Sequence, residues 1–210
     1  MRKRMGTVAF LTLVMAALLA PAQSALANHE SMCRDAITAG KNLIVGSGVI
    51  NGTSGDDVII GSPGDDRINA GSGNDTVCGR GGSDTINGGS GDDALLGDRG
   101  QTNGVGDSGT VRYLDEFGPG GAPGSDKITG GSGNDRIWGD DLDDASLDGG
   151  AGNDNILGGP GNDGLSGGSG SDLLDGDTPA GNAGVDNCAG GSGTDTNVGG
   201  RCETVSSVEA

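Results

Sequence analysis

The sequence predicts an all-β chain wound as a parallel β-roll, a β-solenoid of nonapeptide repeats. Three observations predict it. A nine-residue unit with Gly fourth, Asp sixth and an aliphatic residue eighth occurs ten times between Gly52 and Asp175. Of 210 residues 47 are glycine and only 2% are aromatic, so an ordinary globular core is out of reach. Self-similarity at a fixed nonapeptide period marks a stack in which one unit cannot bury its apolar face alone.

The units begin at Gly52, Gly61, Ala70, Gly79, Gly88, Gly121, Gly130, Gly149, Gly158 and Gly167. Their fourth residues are Gly55, Gly64, Gly73, Gly82, Gly91, Gly124, Gly133, Gly152, Gly161 and Gly170. Their sixth residues are Asp57, Asp66, Asp75, Asp84, Asp93, Asp126, Asp135, Asp154, Asp163 and Asp172. The aliphatic file is Ile59, Ile68, Val77, Ile86, Leu95, Ile128, Ile137, Ile156, Leu165 and Leu174. In GGSGNDRIW, from Gly130 to Trp138, the first six residues are types that tolerate positive φ and make tight turns. Residues seven to nine make a very short strand with Ile137 directed to one face. Two units complete an 18-residue coil with turns on both sides and two thin parallel sheets.

The flanks are read by the same means. Arg2, Lys3 and Arg4, the apolar run Val8 to Ala20 and the small-x-small Ala25-Leu26-Ala27 make residues 1–27 an export signal. That run is short for a membrane span, and Pro21 follows it. Residues 28–51 form an N-terminal cap, in which Leu43-Ile44-Val45 offers a capping strand. The roll occupies 52–198, with insertions at about 97–120, 139–148 and 176–180. All three insertions open with Gly-Asp: Gly97-Asp98, Gly139-Asp140 and Gly176-Asp177. Two weaker units, Gly181 to Ala189 and Gly190 to Val198, keep Asp186 and Asp195 but place Cys188 and Asn197 eighth. Residues 199–210 are a C-terminal cap and tail.

Twelve basic residues, less the three in the signal, leave nine against 30 acidic ones, a formal balance of −21. Such a charge argues against nucleic acid and anionic membrane surfaces and points to cations. Without a ligand this composition reads as disorder. Cys33, Cys78, Cys188 and Cys202 suit two disulfides in an exported chain. Three connectivities exist. Cys33–Cys78 with Cys188–Cys202 is favoured, because each bridge then staples one end of the stack. No pair has the close spacing of a four-thiol zinc site.

Stacked coils stand about 4.8 Å apart, so sixth-position carboxylates and turn carbonyls recur one above another. The turns hold only oxygen donors and no His. Hard oxygen donors at flexible geometry suit Ca²⁺ over Mg²⁺. The expected metal ligands are the ten sixth-position acids with Asp186 and Asp195, joined by the carbonyls of the ten fourth-position glycines. Roughly ten ions would supply about +20, close to the balance of −21. Binding energy is then folding energy, expressed at about 10⁻⁴ to 10⁻³ M Ca²⁺ for extracellular modules.

The units GGSGNDRIW, GGAGNDNIL and GGPGNDGLS resemble the repeat-in-toxin, or haemolysin-type, calcium-binding family over about Gly52 to Val198. The resemblance implies a parallel β-roll that folds on Ca²⁺ outside the cell, with the sixth-position Asp and turn carbonyls as ligands. Toxins and proteases of that family carry an effector domain and an uncleaved C-terminal signal. With a cleavable N-terminal signal and no effector domain, this chain resembles the small secreted members instead.

Catalysis is not expected. His29 is the sole histidine, and no Gly-x-Ser-x-Gly occurs. Two Gly-x-Gly-x-x-Gly matches, Gly104 to Gly109 and Gly159 to Gly164, join no strand to a helix. Asp144-x-Ser146-x-Asp148-Gly149 half-matches a helix-flanked calcium loop but has Asn155 at its twelfth position, and reads as a distorted roll turn. Tyr113 and Phe117 mark the first insertion as a flap over the roll edge, with Trp138 beneath it. The sequence thus predicts a secreted, monomeric calcium-binding protein with a structural or surface/matrix role. The alternative is a carbohydrate-binding or hydrolytic factor using the 97–120 insertion, with an extracellular polysaccharide or protein as partner.

Overall fold

Each unit has one reliably bulky apolar residue to bury, and the backbone brings these into one file. A computed structural model describes residues 33, 36–37, 39–98, 124–140, 142–176, 184–197, 202 and 204–207. Among these residues sixteen strands alternate between two eight-stranded sheets. The first sheet holds β1 (Asn42–Val45), β3 (Asp57–Ile60), β5 (Thr76–Arg80), β7 (Ala94–Asp98), β9 (Arg136–Trp138), β11 (Asn155–Leu157), β13 (Leu173–Asp175) and β15 (Thr196–Asn197), in that order. The second holds β2 (Val49–Asn51), β4 (Arg67–Ser72), β6 (Thr85–Ser90), β8 (Lys127–Ser132), β10 (Ser146–Ala151), β12 (Gly164–Ser169), β14 (Asn187–Ser192) and β16 (Thr204–Ser207), likewise in order. Every neighbouring pair among the described residues, such as β3 with β5 and β4 with β6, is parallel, and the return path of each pair is a strand of the other sheet. This is the predicted parallel β-roll.

Register follows the repeat. In the second sheet Ile68, Ile86, Ile128, Leu147, Leu165 and Cys188 stand in one row. Val77, Leu95 and Ile137 do the same in the first. The two rows meet as a single buried cluster, joined by Ile50, Ile59, Ala70, Ile156, Leu174 and Cys202. The predicted capping strand is present as β1, with Ile44 packed on the end of that core.

The sheets differ in a way the single-unit reading does not contain. Strands of the first sheet from β9 to β13 are three residues long, as expected for positions seven to nine. From β4 to β14, strands of the second run six residues, through positions one to three of the next unit. Glycine at the second position makes this possible. Gly71, Gly89 and Gly131 have φ of +111°, +107° and +115°, and a Cβ there would strike the second-position carbonyl of the preceding coil.

The stretches read as insertions attach to one side, in the turns that lead from the first sheet to the second. Gly97 and Asp98 lie in β7, and residues 99–123, with Tyr113 and Phe117, fall outside the described residues. Across that gap β6 and β8 keep register, Asn87 opposite Thr129. Gly97 takes the first position of the turn ending at Asp126, the place expected for Gly121. The stretch 139–148 supplies a turn and the start of β10, and one extra residue brings Leu147 into line with Ile128. The shared Gly-Asp opening thereby gains its account: Gly97 and Gly139 hold equivalent first positions, and the Gly176 carbonyl faces Gly158 in the same column.

Both favoured disulfides form, Cys33–Cys78 with Cα atoms 6.5 Å apart and Cys188–Cys202 with 5.8 Å. Cys188 replaces an aliphatic residue in the inner file and is buried. Cys78 faces outward, where Cys33, Val58, Ile60 and Leu96 form a second apolar cluster. Ala36, Ile37 and Trp138 pack against it, so Trp138 meets this cap cluster. Residues 1–27, expected to be an export signal, and residues 208–210 lie outside the described residues.

Candidate metal sites

Each turn ends on its sixth-position acid, immediately before or at the start of a strand, so the acids stack into two columns. One column serves the turns entering the first sheet: Asp57, Asp75, Asp93, Asp135, Asp154, Asp172 and Asp195. The other serves the turns entering the second: Asp66, Asp84, Asp126, Asp144, Asp163 and Asp186. Asp195, at the end, is half-buried, and the rest are buried.

One oxygen of each carboxylate is used by the protein. In the first column the N–H groups of Asp57, Asp75, Asp93 and Asp135 donate to Oδ1 of the next acid, each at 2.8 Å. Asp154 N and Asp172 N continue to Asp172 Oδ1 and Asp195 Oδ1 at 2.9 and 3.1 Å. In the second column Asp66 N, Asp84 N and Asp126 N donate to Oδ1 of Asp84, Asp126 and Asp144 at 2.8, 2.7 and 2.7 Å. Asp144 N and Asp163 N donate to Oδ1 of Asp163 and Asp186 at 2.9 Å.

The second oxygen is different. Oδ2 of Asp75, Asp84, Asp93, Asp126, Asp135, Asp144, Asp154 and Asp172 is buried and accepts no hydrogen bond. These oxygens aim at the first-position glycines. A Cβ on Gly130 would overlap Asp135 Oδ2 and stand 2.6 Å from Gly149 O. One on Gly61 would stand 2.7 Å from Asp66 Oδ2 and 2.5 Å from Gly79 O. Gly79, Gly88, Gly97, Gly139, Gly149, Gly158 and Gly167 face the same pairing of a carboxylate oxygen with a main-chain carbonyl of the next coil. The sequence signal was there: glycine opens nine of the ten units, with Ala70 the exception.

Electrostatics make these columns costly on their own. At the strand spacing of about 4.8 Å, two like charges repel by about 3 kcal/mol at an effective dielectric near 20. Burial pushes eight of these carboxyls up, against the backbone hydrogen bond each receives. At Asp57 burial is outweighed by hydrogen bonds from Asn42 and Thr53, and the carboxyl is held below its ordinary value. Asp93 rises to about 7 and Asp135 to about 6. Asp84 and Asp126 rise to about 8 and Asp144 to about 9. Neighbouring acids add to the rise, Asp126 and Asp66 on Asp84, and Asp98 and Asp140 on Asp126. Asp75, Asp154 and Asp172 are raised for the same first cause, burial.

The fourth-position glycines lie at the bend. Gly73, Gly82, Gly91, Gly133, Gly152 and Gly170 have positive φ, while Gly55, Gly64, Gly124 and Gly161 reach the same place without it. Their backbones stack along the roll, since a Cβ on Gly91, Gly133 or Gly152 would strike the carbonyl of Gly73, Gly91 or Gly133. Three features escape the single-unit reading. Asp144 belongs to the second column, although its turn lacks the glycine pattern. The first-position carbonyls, more than the fourth-position ones, face the orphan Oδ2 atoms. Fifth-position Asn and Asp residues form an outer ladder, as where Asn74 N donates to Asp56 Oδ1 and Asp92 N to Asn74 Oδ1.

No cluster of three or more His, Cys, Asp or Glu side chains is gathered for a metal among the described residues. A cation in these turns therefore draws on carbonyls as well as one column of carboxylates. Buried oxygens without donors, carbonyls facing them, and no thiol or imidazole in either column together form a hard, all-oxygen donor set. That set fits Ca²⁺.

The family model of the RTX calcium-binding nonapeptide repeat matches the chain in four copies, at residues 44–77, 79–102, 121–145 and 141–174. No curated protein matches the chain. The matched segments hold the columns from Asp57 to Asp172 and span more than half of the sequence. The chain belongs to the RTX calcium-binding nonapeptide repeat family, and its repeats bind Ca²⁺.

Proposed function

We propose that this is an exported calcium-binding protein that folds on Ca²⁺ and serves a structural role at a surface or in a matrix, as a monomer and without catalysis. The observation that carries the reading is the set of buried, unpartnered Oδ2 atoms of Asp75, Asp93, Asp135, Asp154 and Asp172 in one column and of Asp84, Asp126 and Asp144 in the other. Two disulfides and the signal-like first 27 residues support an oxidising destination outside the cell.

The sixth-position acids from Asp75 onward, with Asp144, Asp186 and Asp195 among them, are the proposed carboxylate ligands. First-position carbonyls such as those of Gly79, Gly130 and Gly149 complete each place, and the fourth-position glycines set the bend that presents them. Bound Ca²⁺ supplies the positive charge that the columns lack. The chain does the rest. Backbone N–H groups fix each carboxylate by its Oδ1, leaving Oδ2 directed inward, and glycine at the first position keeps that space clear. Once repulsion is relieved, the aliphatic file closes. The test is far-UV circular dichroism of the full chain in EGTA and in millimolar calcium. Equal β-content in both would sink the proposal. A screen of the calcium-loaded protein against polysaccharides and hydrolase substrates separates the structural role from the carbohydrate-binding or hydrolytic alternative.

A further inference from the structure

The first coil handles its two acids unlike the others. Asp57 and Asp66 are as buried as the acids that follow, yet neither has an orphan oxygen. Asp57 Oδ2 accepts Thr53 N at 2.6 Å and Thr53 Oγ1 at 2.9 Å, and its Oδ1 accepts Asn42 Nδ2 at 2.6 Å. Asp66 Oδ2 accepts Ser62 N at 2.5 Å, and Gly48 N donates to its Oδ1.

This coil lies near the end of the stack. β2 stops at Asn51, so Thr53 lies outside the strand, whereas second-position glycines such as Gly71 and Gly89 lie inside β4 and β6. On the other side, later second-position N–H groups go to the next coil, Asp140 N to Gly158 O and Gly159 N to Gly176 O. Ser62 N turns back to its own acid instead. The sequence carries the same mark: among the ten units, only those beginning at Gly52 and Gly61 have a hydroxyl residue second.

We propose that the first coil, Gly52 to Asp66, is a calcium-free end of the roll, in which Thr53, Ser62 and Asn42 complete the carboxylates of Asp57 and Asp66 where later coils leave an oxygen for the ion. The inference rests on assigning calcium to the sixth-position acids. Each hydrogen bond offered to Asp57 and Asp66 competes directly with a cation for the same oxygen. The first coil also has an anchor that needs no metal. Val58 and Ile60 are held in the outer cluster with the Cys33–Cys78 bridge. The calcium-dependent coils therefore stack onto an end ordered by other means.

The experiment counts ions. The full chain with both disulfides intact is dialysed to equilibrium in saturating calcium, and bound metal is measured by atomic emission. The D57N/D66N variant is expected to hold as many ions as the wild type, and D93N/D135N at least one fewer. An equal loss in both variants overturns the proposal. Should D57N/D66N fail to fold, an anomalous difference map of calcium-loaded wild-type crystals decides instead. Peaks are expected beside the later acids and none within about 2.6 Å of Asp57 Oδ2 or Asp66 Oδ2. A peak at either oxygen, with peaks elsewhere, removes this inference and spares the wider assignment; no peaks in any turn removes both.

Discussion

The two sides of the roll are built from the same nonapeptide and behave differently. Where the second sheet turns into the first, positions one to three are strand, tied coil to coil by bonds such as Gly91 N to Ser132 O at 2.7 Å and Gly133 N to Ala151 O at 2.9 Å. Where the first sheet turns into the second, the strands from β9 to β13 stop at position nine. The second residue varies there: Ser62, Arg80, Asp98 and Asp140 all hold that position, although Arg80 and Asp98 are paired within β5 and β7. The extra residue before Leu147 and the longer stretches of sequence between Asp98 and Gly124 and between Gly176 and Gly184 lie on this side. One edge is thus continuous six-residue strand from coil to coil, and the other takes the changes of sequence and length.

The largest effect that tests this difference is metal removal. Asp titrates near 3.9 in an unfolded chain, and in the folded columns Asp84, Asp93, Asp126, Asp135 and Asp144 hold their protons well above that. The metal-free roll therefore binds protons more tightly than the unfolded chain. The contribution of these groups to its stability is fully present below about pH 4. It is lost as the pH rises through their folded values, about 6 to 7 for Asp135 and Asp93 and about 8 to 9 for Asp84, Asp126 and Asp144. In EGTA at pH 9 the β-signal should vanish, and it should return in part at pH 5 or with calcium. Because the second column carries the higher values, D126N/D144N should retain more β-signal in EGTA at pH 9 than D93N/D135N. Equal retention would break the comparison.

Loop insertion probes the edges themselves. Five Gly/Ser residues placed between Ser132 and Gly133 would part a hydrogen-bonded strand from its turn. This should cost about 3 kcal/mol or more in saturating calcium, as several backbone bonds and the register are lost. The same five between the exposed Leu142 and Asp143 should cost about 1 kcal/mol or less. Urea midpoints measure both, and similar losses would refute the idea of one permissive edge.

Much of this was legible in the sequence. The period gave the coil, the file from Ile59 to Leu174 gave the core, and the sixth-position acids gave the columns. Cys33–Cys78 and Cys188–Cys202 were readable from the logic of stapling two ends. What stayed hidden depends on neighbours in the stack, which a single unit does not encode. A nonapeptide does not say which sheet it feeds, so the six-residue strands of the second sheet were missed. Gly97 and Gly121 both suit a first position, and only the carbonyl facing Asp126 decides between them. Asp144 reads from sequence only as part of a distorted roll turn, because Leu142 replaces the fourth-position glycine, yet its carboxylate falls into register through backbone bonds.

A smaller effect separates positions within one turn. Gly130→Ala would push a Cβ into Asp135 Oδ2 and the facing Gly149 carbonyl. A loss of about 2 kcal/mol and of one bound ion is expected, since neither the carboxylate nor the backbone can move without disturbing the column. Gly64→Ala meets nothing within 4 Å and needs no positive φ, so its cost should stay within about 0.5 kcal/mol. Denaturant midpoints with calcium counts distinguish a blocked site from a merely strained turn, because only the former loses an ion.

The smallest effect lies on the exposed fifth position, where the two sides differ again. Sixth-position acids accept from the preceding coil, whereas fifth-position side chains accept from the following one, so each turn is tied in both directions. On the strict side the outer ladder runs unbroken from Asp56 through Asn74, Asp92, Asn134 and Asn153 to Ser171 N, with distances of 2.7 to 2.9 Å. On the permissive side it weakens at Ser83, whose hydroxyl accepts Ser125 N at 3.2 Å. Removing the acceptor in Asn134→Ala should cost about 1 kcal/mol, moderated because water reaches the freed Asn153 N–H. Ser83→Asn should instead gain a few tenths of a kcal/mol by extending the acceptor toward Ser125, provided that this ladder binds coil to coil on both sides. If both substitutions leave the urea midpoint unchanged, the fifth-position ladder follows from stacking and does not help to hold it, and the contrast between the edges reduces to the strand hydrogen bonds alone.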